Sequence, residues 1–481
     1  MYAHTKGKVF QIGGFTPWAW KYTSEGQAGG KHGGVDTEWK YAQMVSAYLG
    51  VMDADALGLS GMSNASFYQH YPLKKRYPQS AKPSEADLRA RGLLDEAGRV
   101  APRMYVCFYM GDYDSAAWLN THVPLWWNDP AHGAIPCAWA FNPNLDQRAP
   151  HVFDYVRTHQ TPNDWFLFGD SGAGYLNPGM LAETDGWDAW VAHNQPYAER
   201  YDLSITGFVI DGHSPGMGEV GMDAYQRFSP DGIVGQKIPA RGVHRGVMPY
   251  LRMALDLHGD PEDAGDHVAG LVGVNAPKFL FIRTILKSPS WHQAVMDRAR
   301  ARNAAIEFVD PYTFFALLKR DVLVPAAPAA TGTLPVLRFT PPDGRAGLAP
   351  IAVGDGPFGF GSRDGVPVIT QAKPETTQYL YFEVDNALTR ALAVEARAVR
   401  VEVRVFDDVP GTLGIHYDSR EHGPYHDGPV VELHGGGAWR TVAFDLPEAH
   451  LAHGQNGGAD FRLVNFGNDL RIACVTLRTL D

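Results

Sequence analysis

Cysteine is scarce: Cys107, Cys137 and Cys474 are the only three in 481 residues. Each lies inside a strand-like apolar run, where a free thiol behaves as a small buried hydrophobe, and no spacing forms a disulfide framework or a zinc site. No apolar stretch reaches the ~20 residues that a membrane-crossing helix needs. The chain starts MYAHTKGKVF, without an apolar leader. A periplasmic or extracellular protein whose leader has been removed is expected, with a cytoplasmic location as the alternative. Positive charge is also in deficit, since 42 Lys and Arg against 53 Asp and Glu leave a net charge of −11. Such a field repels nucleic acid and anionic membrane surfaces, so neither is an expected partner. Familiar catalytic signatures are missing as well. No His-Glu-x-x-His occurs among the 19 histidines, and a mixed metal site would have to draw on Asp211, His213, His244, His258 and His267. Gly169-Asp170-Ser171-Gly172-Ala173-Gly174 departs from the Gly-x-Ser-x-Gly elbow of serine hydrolases. It also lacks the third glycine of a dinucleotide loop and the Lys or Arg of a phosphate cradle. No cofactor and no catalytic metal are expected. Asp407, Asp408 and Asp418 are the residues a structural calcium would use, with solvated turns as the plain alternative.

Aromatic residues make up 12% of the chain, with 12 Trp and 21 Tyr. Their rings join a large apolar face to a polar edge, which suits sugar rings as well as a large core. Three apolar runs close on carboxylates. Met104 to Leu119 reads MYVCFYMGDYDSAAWL and reaches Asp112 and Asp114; Trp165 to Ser171 reads WFLFGDS and reaches Asp170; Ile205 to His213 reads ITGFVIDGH and reaches Asp211. Barrel enzymes carry their chemistry at such strand ends, although Asp is also a favoured turn and N-cap residue.

Strand-like runs alternate with helical ones as far as residue 323. Strands are expected at Val9–Pro17, Met104, Ile135–Phe141, Trp165, Ile205, Gly232–Lys237, Lys278–Leu286 and Ile306–Val309. Helices are expected at Thr37–Tyr48, Arg148–Gln160, Trp187–Tyr201, Met222–Phe228 and Ser290–Asn303. This alternation implies parallel βαβ units and a (β/α)-barrel-like domain over residues 1–323, with a doubly wound sheet as the competing arrangement. The stretch VPAAPAATGTLP, residues 324–335, has the Pro and Ala content of a linker. Over residues 336–481 helical patterns nearly vanish, and short strands separated by Gly, Asp and Pro predict an all-β jelly-roll sandwich, either a carbohydrate-binding module or a stabilising appendage.

Glycosidic hydrolysis needs one carboxyl that donates a proton and a second that acts as nucleophile or activates water. Asp112 and Asp114, two apart, share a face of an extended strand end, and mutual repulsion raises the proton affinity of one. Asp211, from another strand, is the expected second member; Asp170 follows, and Glu38, Glu183 and Glu219 are the replacements. Gly172 and Gly174 suit a tight turn beyond a strand end that projects Tyr175 over the mouth. Trp18, Trp20, Trp118, Trp126 and Trp127 read as loop aromatics with faces to stack on a pyranose. His213 joins Tyr175, Trp18, Trp118, Trp126 and Trp127 as a substrate contact, whereas Trp187 and Trp190, three apart in a helical stretch, read as core.

The segment Ser171–Pro178, SGAGYLNP, resembles the signature of the GxGYxYP glycoside hydrolase family, supplying Gly172, Gly174, Tyr175 and Pro178, with Asn177 where the family prefers a second Tyr. Asp112-Tyr113-Asp114-Ser115 resembles the family's upstream Asp-Gly-Asp-Asn motif, and IEFVDPYTFFALLKR from Ile306 resembles its closing segment. Together these cover residues 1 to 322. The resemblance implies a carbohydrate-active barrel. The expectation is a glycoside hydrolase acting on an oligo- or polysaccharide. The alternative is a non-catalytic carbohydrate-binding or cell-surface protein, against which the retained acids speak. A polysaccharide lyase would instead line its cleft with Lys or Arg.

Overall fold

The computed structural model describes residues 2–14, 37–54, 62, 64–324, 336–371, 376–467 and 469–480. A small parallel pair, β1 (Phe10–Gly13) and β2 (Gly50–Asp53), precedes the main sheet. That sheet contains β3 (Met104–Tyr113), β4 (Cys137–Phe141), β5 (Asp164–Asp170), β6 (Ile205–Val209), β7 (Gly232–Gly235), β8 (Arg241–His244), β9 (Met248–Arg252), β10 (Leu255–Leu257), β11 (Lys278–Ile285) and β12 (Ile306–Phe308). Its strand order is β10-β11-β3-β4-β5-β6-β7-β9-β8. β9 runs through Met253 and Ala254 straight into β10, so one stretch of chain pairs with β7 at its start and with β11 at its end. This shared stretch is what curls the sheet.

The two faces of the sheet are separated by the alternation of side chains along each strand. Met104, Val106, Phe108 and Met110 of β3 pack with Leu119, Phe153, Trp190 and Val295, from helices outside the sheet. Tyr105, Cys107 and Tyr109 face the other way and meet Phe279, Phe281, Phe314 and Leu317. The last two belong to the helix Pro311–Leu323, which is therefore packed on the concave side. This departs from a regular (β/α)-barrel, where every helix is outside. Two further departures accompany it: β8 pairs antiparallel with β9, and β12 joins β3 only at Met104–Val106. The architecture is mixed α/β with a curled, half-barrel sheet.

Residues 336–480 form two antiparallel sheets around a core that includes Phe339, Phe382, Val401, Ile415, Phe444, Phe461 and Val475. One sheet is built on Val399–Asp407 and Leu470–Thr479, the other on Gln378–Val384, Phe461–Phe466 and Pro410–Ser419. A helix, Asn386–Val394, interrupts them where only strands are expected; its N-cap Asp385 accepts from the Ala387 amide. The boundary segment, residues 325–335, lies outside the described residues. The sandwich is docked on the first domain: Ile351, Val353, Tyr381 and Ala459 belong to the helix-side core of the curled sheet. Lys278 of β11 and Glu383 make an ion pair of 2.7 Å with both side chains buried, and Glu383 also accepts the Val274 and Asn275 amides.

Candidate active site at the strand ends

The end of β3 is irregular in a way that places its acids. The β3–β4 register slips between Met110 and Tyr113, so Gly111 and Asp112 together oppose one residue of β4. Such a bulge shifts the side-chain alternation by one position. Tyr113 consequently joins the outer core with Met110, while Asp112, at φ +71, is turned toward the concave side. There its Oδ1 accepts from Arg283 Nη2 at 2.6 Å. Gly111 also makes room for a ring: a Cβ there would lie 1.9 Å from Tyr109 Cε1, and one on Gly207 of β6 would lie 2.5 Å from Tyr109 Cδ2. The Tyr109 ring occupies this slot, and its hydroxyl donates to Asp170 Oδ1 at 3.1 Å.

Asp170, the last residue of β5, is 1% exposed. Its amide donates to Asn142 Oδ1 at 2.7 Å, and its Oδ2 is buried without a hydrogen-bond partner. Burial, and next the charge of Asp112, push its pKa up to about 7, against the pull of Arg283 and Tyr109. Burial alone would loosen the Arg283 proton, but the carboxylates of Asp112, Asp256 and Asp170 outweigh it and hold it more firmly. Arg283 reaches Asp256 of β10 at 2.9 Å and stands 5.0 Å from the Phe208 ring centre. The result is a carboxyl that titrates near neutrality next to an ion-paired one, a combination that suits acid–base chemistry.

Asp211 follows β6 and is also 1% exposed. Its Oδ2 accepts from the Lys237 amide at 3.1 Å, its own amide donates to Gln236, and its Oδ1 is buried without a hydrogen-bond partner. Burial raises its pKa to about 7, and the charge that reaches it is that of Lys237. The charge coupled to Asp170 is instead that of Asp112, so the electrostatics join Asp112 to Asp170 rather than to Asp211. Asp114 is tied to the end of β2: the amide of Ala54, the residue after that strand, donates to the Asp114 carbonyl at 2.9 Å.

The signature loop closes the mouth from the side. Gly172 and Gly174, at φ +133 and +127, each leave no space for a Cβ: Asn194 would be met at 2.6 Å and Val51 at 2.6 Å. Tyr175 does not stand over the mouth as expected; it is 5% exposed, packed with Ala42, Met52 and Ala54. Burial, followed by the charges of Glu38, Asp114 and Asp170, raises its pKa. Asn177 hydrogen-bonds the Ile210 carbonyl at 3.1 Å and ties this loop to the exit of β6.

The tryptophans are placed differently from the expectation. Trp118, Trp126 and Trp127 lie on the helix Ala116–Trp127, not in loops. Trp127 is buried against Trp139, 4.8 Å between ring centres, and Trp118 and Trp126 pack on the same core. Pro124 sits inside this helix, and the hydrophobic run continues through it, which is why the pair read as loop residues. Trp18 and Trp20 fall outside the described residues. His213 is exposed and packs on Trp39, 5.3 Å between ring centres. Glu183 and Glu219 are exposed, Glu219 pairing with His244 at 3.6 Å.

Arg283, Tyr109 and Asn142 escape the sequence reading, yet Arg283 has a signal: it is a cation in the interior of the apolar strand KFLFIRTI, which opens on Lys278. Of the calcium candidates, Asp407 pairs with Arg440 and Asp408 with Arg471, both at 2.8 Å, while Asp418 accepts the Ala452 amide. Among the described residues the group with metal-holding geometry is Glu421, His422 and Glu448, on the sandwich surface away from the strand ends.

No curated protein matches the chain. A solved structure of a putative hydrolase from Bacteroides thetaiotaomicron shares 16% identity and a TM-score of 0.47, over 60% of this chain and 55% of that one. The chain thus spans little more than half of that protein. A family 29 carbohydrate-binding module from Piromyces equi shares 11% identity and a TM-score of 0.21, over 30% of this chain and 88% of the module. A carbohydrate-binding module from Cellvibrio mixtus lichenase 5A, solved with cellotriose, gives 8% and 0.18, over 31% of this chain and all of the module. None of these likenesses is close enough to carry an argument. Residues 102–241, which hold Asp112, Asp170, Asp211 and the glycine loop but not the Ile306 segment, match the model of the GxGYxYP putative glycoside hydrolase C-terminal domain.

Proposed function

We propose that the protein hydrolyses glycosidic bonds with Asp170 as the proton donor and Asp112 as its ionised partner. The observation that carries this reading is the carboxyl of Asp170, buried, held protonated near neutrality, and with one oxygen free of partners beside the Asp112–Arg283 ion pair. A protonated acid donates to the leaving oxygen, and the paired carboxylate attacks the anomeric carbon or activates water there. Asp211 shares the raised pKa and is the second candidate for the donor. In this reading the curled sheet is a modified (β/α) barrel, spanning residues 1–323. The sandwich, residues 336–481, is a jelly roll that assists carbohydrate binding, and the enzyme meets its substrate in the periplasm or outside the cell.

The test is a panel of oligo- and polysaccharides assayed for reducing-end release by wild type, Asp112→Asn, Asp170→Asn and Asp211→Asn. Loss of about 10²-fold or more in Asp170→Asn and Asp112→Asn is expected. Wild-type rates in both, with loss only in Asp211→Asn, would transfer the role to Asp211. No release from any glycan by wild type would overturn the reading.

A further inference from the structure

A groove of about 710 Å³ runs between the strand ends and the sandwich. It begins at Phe208 and Asp256, the two residues that flank Arg283, and its far wall is Pro424, Tyr425 and Asn456 of the sandwich. Arg283, bonded to Asp256 on one side and Asp112 on the other, thus stands between the groove and the carboxyl site. Tyr425 is held firmly there. Its hydroxyl donates to Asn456 Oδ1 and accepts the Asn456 amide, each at 2.9 Å. Arg462 stands over the ring, 4.6 Å from its centre, and the residue still leaves 36% of its surface exposed.

The cations along the groove are already engaged. Lys237 Nζ donates to the Gly212 and Ser214 carbonyls. Arg252 donates to the Ile238 carbonyl at 2.9 Å and to that of Gly454. Both lining cations are thus tied to backbone carbonyls of the groove wall, and Asp256 would repel a carboxylate or sulfate on the ligand.

Resting on the glycosidase reading, we infer that the sandwich completes the substrate cleft: Tyr425 is the stacking platform for a sugar unit beyond the scission site, and the chain it receives is uncharged. An amphipathic ring edged by Asn456 and Gln236 matches a pyranose, with its apolar C–H face and its rim of hydroxyls. The sandwich then acts as part of one cleft with the curled sheet, rather than as a separate binding module.

Affinity gel electrophoresis of the full chain in arabinoxylan, barley β-glucan, galactomannan, polygalacturonate and alginate tests this, alongside reducing-end release from the same polymers. Wild type is expected to be retarded by a neutral polymer that it also cleaves. Tyr425→Ala should weaken retardation and raise KM on that polymer about tenfold. The rise should be much smaller on a p-nitrophenyl monosaccharide, too short to reach the platform. Tyr425→Phe, which keeps the ring, should restore polymer binding, and Tyr425→Leu, apolar but without a ring, should not. Equal KM values for wild type, Tyr425→Ala and Tyr425→Leu on a polymer whose cleavage Asp170→Asn abolishes would overturn the inference and leave the glycosidase reading standing. Binding confined to polygalacturonate or alginate would also overturn it, and wild type inert toward every glycan would remove both.

Discussion

Asp170 carries opposite consequences for chemistry and stability. In the fold its pKa, like that of Asp211, stands at about 7, while an unfolded aspartate titrates near 3.9. Between those values the native state binds more protons than the unfolded one, so each group's contribution to stability is intact at low pH and is lost as pH rises through 7. Asp170→Asn and Asp211→Asn should therefore be more stable than wild type at pH 8, by no more than about 4 kcal/mol each, and differ little from it at pH 4. Thermal melts at the two pH values check this; a destabilised Asp170→Asn at pH 8 would show that the carboxyl is ionised and well partnered. The Tyr109 hydroxyl lowers the Asp170 pKa, so Tyr109→Phe should move the alkaline limb of hydrolysis upward, by about half a pH unit for one ordinary hydrogen bond. A downward shift would assign the hydroxyl another role.

At the scale of elements, the glycines at strand ends decide where the acids point. Each side chain of Gly111→Ala and Gly207→Ala would meet the Tyr109 ring well inside van der Waals contact. Either change should cost about 1–3 kcal/mol and reduce hydrolysis by displacing the tyrosine from Asp170, measurable by melts and initial rates; unaltered rates would mean that the ring position is immaterial. This feature was half-legible. The repeated Gly-Asp in MGDYD and FGDS marks the strand ends, and long runs such as Met104–Tyr113 and Trp187–Tyr201 read correctly because strong periodicity outlasts local exceptions. The bulge that turns Asp112 inward could not be read, because it depends on the register with β4. The hairpin of β8 and β9 escaped for lack of an alternating pattern in RGVHRGVMPYLR. The strands Gly359–Arg363 and Val366–Gln371 escaped because the first is largely exposed and the second carries a proline at its second position. Trp127 was misplaced because a proline within its helix reads as a loop signal.

Across the whole molecule, sandwich and curled sheet share a buried ion pair and a common core. Removing one charge of such a pair strands the other, so Glu383→Gln should cost about 3–5 kcal/mol, seen in denaturant unfolding; a change under about 1 kcal/mol would show that the domains barely depend on each other. Limited proteolysis is expected to cut within residues 325–335 and to leave two pieces that co-elute in gel filtration. The change to antiparallel strands beyond residue 336 was legible from the loss of helical patterns, whereas the contact between the two parts was not, since Lys278 and Glu383 are 105 positions apart and look unrelated in the chain. Arg283 links the carboxyl site, through Asp112, to the groove, through Asp256, and in the proposed reading both serve one proton transfer from Asp170. The pH dependence of kcat/KM on the first cleaved glycan bears on that transfer most directly. A single-proton decline above about pH 7, together with loss of about 10²-fold or more in Asp170→Asn across the range, is the expected result; activity that stays flat to pH 9, or an Asp170→Asn variant as fast as wild type, would contradict it.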